Sequence, residues 1–301
     1  MRAVRFAEYG GPEVLHLADV PPPHAGPGRI RIAVAAAGVN ALEWKLRAGQ
    51  LRDVRPLELP SGTGGDAAGR VDEVGEGVTD VVPGDTVFGS GTDTYAEHAV
   101  LTSWAPVPPG ASVVEAAGWP TPFETGLRVL EVLTAPPGAT VVVNGAAGGV
   151  GSVVVQVARA RGVRVVGVAG ADNQDHLAAL GAVPTTYGPG LRERVAALAP
   201  DGVDAAFDVA GSGVIPELVA LTGDPSRVVS IADFSAPRYG ALVSTGVGSD
   251  RAAALREGAR LVAAGSLVLP VTATYPLDGA AAAQRRSATG HGRGRLVVTV
   301  P

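Results

Sequence analysis

The sequence predicts an α/β protein in two parts, a small β-rich domain joined to a doubly wound parallel sheet. Three observations predict it. Glycine (42) and proline (24) fill about a fifth of the 301 residues, spread between short apolar runs with no low-complexity tract or internal repeat. Such punctuation calls for many tight turns. From about residue 111 the period changes, and strand-like and helix-like segments alternate, as βαβ units with right-handed crossovers require. Finally, the turn Gly145-Ala146-Ala147-Gly148-Gly149-Val150-Gly151 separates a continuous apolar run from a helical one.

The elements follow in order. Short alternating runs give strands at 3–6, 29–35, 68–74, 86–88 and 95–101, with one helix near 41–48. These make up a first domain over 1–115. Leu127, Leu130 and Leu133 recur at helical spacing and place a helix over 121–133. Strands at 140–144, 163–169, 203–209 and 227–231 then alternate with helices at 149–161, 175–180, 191–198, 214–221 and 251–264, giving a second domain over 116–269. After Pro270 come a helix at 277–287 and a strand at 295–300, a tail (270–301) expected to return and pair with the first domain.

Composition excludes several classes. With no cysteine there is no disulfide, thiolate metal site or cysteine nucleophile. A net charge of −5 gives no electrostatic footprint for nucleic acid. At 46% hydrophobic and 18% charged the chain is too apolar for disorder. The first residues alternate charged and apolar without an apolar core segment, and no run approaches a membrane span, so a soluble, cytoplasmic protein is expected. Of the 24 cations only Lys45 is a lysine. In a coding bias that made every other cation arginine, this one stands out.

The Gly-rich turn carries chemistry. Ala146-x-Gly148-x-x-Gly151 is the dinucleotide fingerprint with alanine for its first glycine. Gly148 lets the backbone approach a pyrophosphate, and Gly151 lets the helix pack on the strand. The helix N-terminus then offers free N–H groups to the phosphates. The cofactor-binding set read here is Asn144, Ala146, Ala147, Gly148, Gly149, Val150, Gly151 and Gly170. The next strand ends Val168-Ala169-Gly170-Ala171, small residues that leave room for a 2′-phosphate, and no carboxylate stands at its tip. This favours NADPH, while Asp172 and Asp175 just beyond count toward NADH.

With these residues in view, the sequence resembles the zinc-independent quinone oxidoreductases of the medium-chain dehydrogenase/reductase superfamily. The resemblance runs over essentially the whole chain. Its most specific piece is Gly65-Asp66-Ala67-Ala68-Gly69-Arg70-Val71, continuing through Val74-Gly75-Glu76-Gly77-Val78 to Gly84-Asp85-Thr86-Val87. Ala37-Gly38-Val39-Asn40, the turn from Gly145 to Gly151, Gly211 after Asp208, and the stretch 290–295 also match. The resemblance implies a GroES-like catalytic domain, formed by the N-terminal part and the tail, around an inserted Rossmann domain. It implies a homodimer that reduces quinones, enones or enoyl groups with NADPH. It also implies that Tyr187 contacts the 2′-phosphate and that Thr125 lines the nicotinamide pocket. Asp172 stands where the family usually has a basic residue.

Zinc-dependent relatives hold the metal through Cys and His. Here Gly65-Asp66 stands where a His-Glu would, and His16, His24, His98, His176 and His291 are scattered without ligand spacing, so no metal is expected. The candidate catalytic residues are Asn40 and Lys45, five positions apart on the loop and short helix that face the nicotinamide in the family. Asn40 is placed to donate to a carbonyl, or simply to cap the helix. Lys45 is placed to stabilise an enolate or deliver a proton, or to be a solvated helix residue. Trp44 and Trp119 are packing residues or walls for a flat substrate, with Phe234 and Tyr239 as further candidate walls. Arg293 and Arg295 are electrostatic candidates for the cofactor phosphates, or surface residues. The reading is an NADPH-dependent oxidoreductase acting on a quinone or an α,β-unsaturated carbonyl. A biosynthetic enoyl reductase acting on a thioester and a catalytically silent cofactor-binding protein are the alternatives.

Overall fold

The computed structural model describes residues 1–290 and 292–301, so His291 lies outside the described residues. The chain separates into two compact units. One is Met1–Thr121 with Arg251–Pro301, and the other is Pro122–Asp250.

In the first unit the strand Ile30–Gly38 organises the rest. It pairs antiparallel with Asp66–Val74 along its length, with His98–Pro106 through Ile30–Ala33, and with Arg295–Thr299 through Ala36–Gly38. Thr86–Thr92 bridges Asp66–Val74 to His98–Pro106, so four strands close on themselves. Register shifts at Arg31/Ile32, Val34/Ala36 and Ser90/Gly91 supply the curl that closure demands. Glycine is required where strands crowd: a Cβ on Gly69 would sit 2.0 Å from the Ala33 carbonyl oxygen, and one on Gly89 would sit 2.1 Å from that of Ser103. Ile30, Ile32, Val71, Val87, Tyr95 and Leu101 fill the interior. They obey the period of two that the sequence showed at 29–35.

The C-terminal strand Arg295–Thr299 does return to this unit, with Val297 opposite Gly38 and Val298 opposite Ala37. Its outer neighbour, Val271–Pro276, was not visible in the sequence. Nor were His16–Asp19 and Val183–Thr186. All three lie at sheet edges. An edge strand buries little, so its apolar pattern is weak. The helix Arg251–Ala263 falls in this first unit, where it packs on His98–Pro106.

The second unit is a six-stranded, all-parallel sheet in the order Val183–Thr186, Arg164–Ala169, Thr140–Asn144, Ala205–Asp208, Val228–Ser230, Leu242–Val243. The chain therefore winds outward one way from Thr140–Asn144 and then the other way from Ala205–Asp208. Those two strands form the switch point, outside whose carboxyl ends ligands bind in such sheets. Val142, Val166, Val168 and Ala206 are buried against Leu191, Val195, Ile215 and Leu218 from the helices Leu191–Leu198 and Ile215–Thr222. The structure thus has the β-rich, GroES-like part and the doubly wound, Rossmann-type part that the sequence implied.

Candidate active site

The dinucleotide turn lies at the carboxyl end of Thr140–Asn144. Gly145 adopts a positive φ of 83°, and Gly145 and Ala146 both donate their N–H to the Val168 carbonyl. Ala146 replaces the expected glycine without strain because its methyl faces Gly167, where an added Cβ would come within 3.3 Å of it. At Gly151 a Cβ would lie 2.2 Å from the Gly145 carbonyl oxygen, so only glycine lets the helix seat on the turn. Gly148 differs: its only neighbour within 4 Å of an added Cβ is the Gly145 oxygen, at 3.5 Å. Gly148 is also the N-cap of the helix Gly149–Ala160, and as a glycine it offers that end no capping side chain. Helix N–H groups without an internal partner and an open backbone are what a pyrophosphate needs.

Asn144 is buried at the strand end. Its amide donates to Asp208 at 2.9 Å and to Ser212 at 3.1 Å. Asp208 also accepts from the N–H groups of Ala210 and Gly211 and from the Ser230 hydroxyl, which ties the loops on either side of the switch point together. The tip of Arg164–Ala169 carries Gly170, where an added Cβ would come 3.7 Å from the Tyr187 ring. Tyr187 is exposed, as is Asp172. Arg194, which the sequence reading passed over, donates to the carbonyls of Thr186, Gly188 and Pro189 and so fixes the loop that carries Tyr187. Thr125 is buried on the helix Pro120–Val132 and donates its hydroxyl to Glu124 at 3.0 Å.

The first unit brings together residues that the sequence kept apart. Asn40 is the N-cap of Ala41–Arg47, and its own backbone N–H is accepted by Glu43. Its side-chain amide donates to Glu43 at 3.0 Å and to Asp66 at 2.9 Å, while its oxygen accepts from Arg295 at 2.7 Å. Both amide hydrogens are thereby committed inside the protein. Asp66 also accepts from the Thr121 N–H and hydroxyl, and Tyr95 donates to Glu43. Arg295 lies 3.9 Å from Asp66 and, being buried, is not a surface cation. Lys45 stays outside this network, half-buried, with its ammonium 5.7 Å above the Trp44 ring. Trp119 is buried and meets Phe88 edge to face. Phe234 and Tyr239 are exposed.

Glu43, Asp66, Tyr95 and Arg295 form a buried set of two acids, a phenol and one cation. Burial pushes the Glu43 carboxyl up to about 8, with the Asp66 charge adding to the rise and the Asn40 N–H opposing it. Burial also raises Asp66 and lowers Arg295, each restrained by the other's charge. Glu43, held in its neutral form up to about pH 8, adds no charge of its own beside Asp66 and Arg295. An acid whose folded-state pKa stands above its unfolded value, about 4.3, binds its proton more tightly when folded. Its contribution to stability is therefore complete at low pH and is lost as pH climbs through about 8. Stability is expected to fall progressively from about pH 5 to pH 8, by up to about 1.4 kcal/mol per pH unit in the middle of that range, and Glu43→Gln is expected to flatten that slope. Urea unfolding at several pH values, followed by fluorescence, measures both. A variant with the unaltered slope would place the titration elsewhere.

Among the described residues no three His, Cys, Asp or Glu side chains group as a metal site, and no helix is long and apolar enough to cross a membrane.

A family model described as an alcohol dehydrogenase GroES-like domain matches residues 26–197, and one described as a zinc-binding dehydrogenase matches residues 190–298. The rat quinone oxidoreductase (Rattus norvegicus) is 39% identical over 178 residues, 57% of this chain and 54% of that protein. The matched stretch thus spans about half the length of such curated relatives. Among solved structures, the quinone oxidoreductase of Coxiella burnetii superposes with a TM-score of 0.88 at 28% identity, over 100% of this chain and 99% of that one. A mycobacterial protein complexed with NADPH gives 0.86 at 28% identity, over 99% and 100%. A GroES-like unit with an inserted Rossmann-type sheet defines the medium-chain dehydrogenase/reductase class. Within it, the chain belongs to the family of the alcohol dehydrogenase GroES-like domain, and quinone oxidoreductases are among the proteins it resembles.

Proposed function

We propose that the protein is an NADPH-dependent oxidoreductase that reduces a quinone or an α,β-unsaturated carbonyl without a metal. The observation that carries this reading is the glycine-capped helix end at Gly148, with its open backbone, at the switch point of the parallel sheet. The NADPH bound to the mycobacterial relative supports it. Tyr187 beside Gly170 receives the adenosine end and its 2′-phosphate. Bound NADPH supplies hydride, and the chain supplies orientation and stabilisation of the charge that develops on the acceptor.

Zinc does not fit the position where dehydrogenases of this class hold it. Asp66 is surrounded by donors, from Asn40 and Thr121, and lies beside the Arg295 cation, a setting that favours an anion and opposes a divalent ion. Lys45 stabilises the acceptor oxygen and holds a proton for it. Asn40, with both amide hydrogens engaged, serves as a positioning residue that fixes the start of the helix bearing Lys45.

The test is oxidation of NADPH and NADH in the presence of quinones, enones, enals and enoyl thioesters. Turnover with NADPH on quinones or enones is expected, and turnover with NADH alone would overturn the cofactor assignment. Lys45→Ala is expected to lower kcat by about 10²-fold or more with unchanged NADPH affinity; an unaltered rate would remove Lys45 from the chemistry.

A further inference from the structure

We infer that the first unit carries a second binding cleft, for a small zwitterion with an apolar side chain, the chemistry of a free hydrophobic α-amino acid. Arg5 takes the carboxylate of this ligand and Asp93 its ammonium group.

The cleft arises from the way the first strand lies on the barrel. Ala3 bridges Ala96, and the N–H groups of Val4 and Glu97 donate to the carbonyls of Tyr95 and Arg2. Val4 and Phe6 are buried on one face of Arg2–Phe6. By the period of two, Ala3 and Arg5 stand on the other. Beyond the partner strand His16–Asp19 the chain runs through Pro21-Pro22-Pro23, three residues with no N–H to give a ladder. This run is tied at both ends. Val20 and Met1 exchange bonds at 2.9 and 2.8 Å, and Arg31 donates to the Pro23 carbonyl at 2.9 Å. Val20, Pro21 and Pro23, together with Ala96, Ala99 and Val100, line a cleft of about 370 Å³. Small-molecule sites begin at roughly 300 Å³. None of Asn40, Glu43, Asp66, Tyr95 and Arg295 lines it, so it is separate from the buried network.

Its polar groups carry both signs. Among the described residues Asp93 is the one non-glycine residue with a positive φ, 55°. That conformation is unfavourable for most side chains and is tolerated best by Asn and Asp. The neighbouring chain makes room for the carboxylate: a Cβ on Gly62 would fall 2.3 Å from the Asp93 Cγ. Arg5 reaches Asp93 only at 3.4 Å, since its other terminal nitrogen is bound to the Pro60 carbonyl. A close pair of this kind would stand at about 2.7–2.9 Å. The contact is loose, and about half of the Asp93 side chain is exposed. Only two of the five guanidinium N–H groups have partners among the described residues. The other charges on the rim are already matched. His98 Nδ1 lies 3.0 Å from Asp72, and the Met1 ammonium donates to Val20 in the field of Glu97.

The ligand follows from that pairing. A simple anion is attracted by Arg5 and repelled by Asp93, and a simple cation meets the reverse. A molecule with both charges on neighbouring atoms satisfies both, with the carboxylate on the guanidinium as the stronger contact. Its side chain is left to Val20, Pro21, Pro23 and Val100, which remove apolar surface from water. The small side chains of Ala3, Ala96 and Ala99 leave it space.

The experiment is a ligand-observed NMR titration of the full chain with three probes. They are L-leucine, 4-methylpentanoate, which lacks the ammonium, and 3-methylbutylamine, which lacks the carboxylate. L-Leucine is expected to bind with a Kd of about 1 mM or below. Each analogue is expected to bind about tenfold more weakly or worse, having lost a hydrogen bond between charged groups. Asp93→Asn keeps the shape and tolerates the same backbone, so its melting temperature should stay close to that of the unaltered protein. It should bind L-leucine no more tightly than 4-methylpentanoate. Arg5→Gln should bring L-leucine down to the affinity of 3-methylbutylamine, and it decides the matter if Asp93→Asn does not fold. An analogue that matches L-leucine on the unaltered protein would overturn the inference. So would a folded variant that keeps the preference for L-leucine, or no binding at about ten times the expected Kd.

Discussion

Replacing Arg295 with methionine is expected to destabilise the first unit by about 3–5 kcal/mol at neutral pH, the usual result of removing one partner from a buried charge pair. Methionine preserves most of the side-chain length, so little of the loss comes from packing. What remains is Asp66, almost fully buried, with donors from Asn40 and Thr121 but no cation. Asn40 also loses the donor to its oxygen. The loss should shrink on acidification, because without Arg295 both acids are driven still further upward, and a proton then neutralises what the guanidinium no longer does. Adding Asp66→Asn should recover part of the stability, since the double variant buries no unpaired charge, and the cycle of four proteins isolates the coupling. Tryptophan fluorescence suits the measurement because Trp44, Trp104 and Trp119 all lie in this unit. A loss below 1 kcal/mol at pH 7 would mean that water reaches the pair and that the network is not a dry one.

How much of this was legible beforehand depended on how local each feature is. The nucleotide turn was readable because strand, turn and helix lie within about twenty consecutive residues, and each glycine has a local reason. The buried network was not. Asn40, Asp66 and Arg295 were each singled out, but for separate roles: Asn40 as a donor or cap, Asp66 as part of the family-like stretch and the replacement for a His-Glu, and Arg295 as a phosphate partner or surface residue. Asn40 and Arg295 are 255 positions apart, and they meet because Val297 pairs with Gly38. No periodicity reveals that register. Glu43 and Tyr95 escaped notice altogether, since a glutamate in a first helical turn ordinarily faces water. Glu124 and Arg128 show the same limit: their i,i+4 spacing was visible, but such spacing is far commoner on solvated faces. Only the burial of Glu124, and the serines brought to it from residues 244 and 249, separates the two cases.

The pair Gly148→Ala and Gly151→Ala should divide the fingerprint into its two physical functions. At Gly151 an added methyl falls 2.2 Å from the Gly145 oxygen and 2.7 Å from the Ala146 Cα, both backbone atoms that cannot rotate aside. The helix Gly149–Ala160 must therefore lift from the strand end. Overpacking of this kind costs about 1–3 kcal/mol, and more where the backbone itself has to move. The second unit should lose stability, and dinucleotide affinity should fall with it. At Gly148 the backbone has an ordinary φ of −72°, and the methyl would meet only the Gly145 oxygen at a normal contact distance. The fold has no reason to object. Gly148→Ala should therefore keep the unaltered melting temperature while weakening NADPH by about tenfold or more, since the methyl fills the space through which a pyrophosphate approaches the helix N–H groups. Equal affinity with an equal melting temperature would show that no phosphate comes near Gly148, and the turn would then be a structural feature only. A melting temperature lowered at Gly148 as much as at Gly151 would show that the open backbone there serves packing. Only stability lost at one glycine and affinity lost at the other, three residues along the same helix, fits a turn that both seats a helix and cradles an anion.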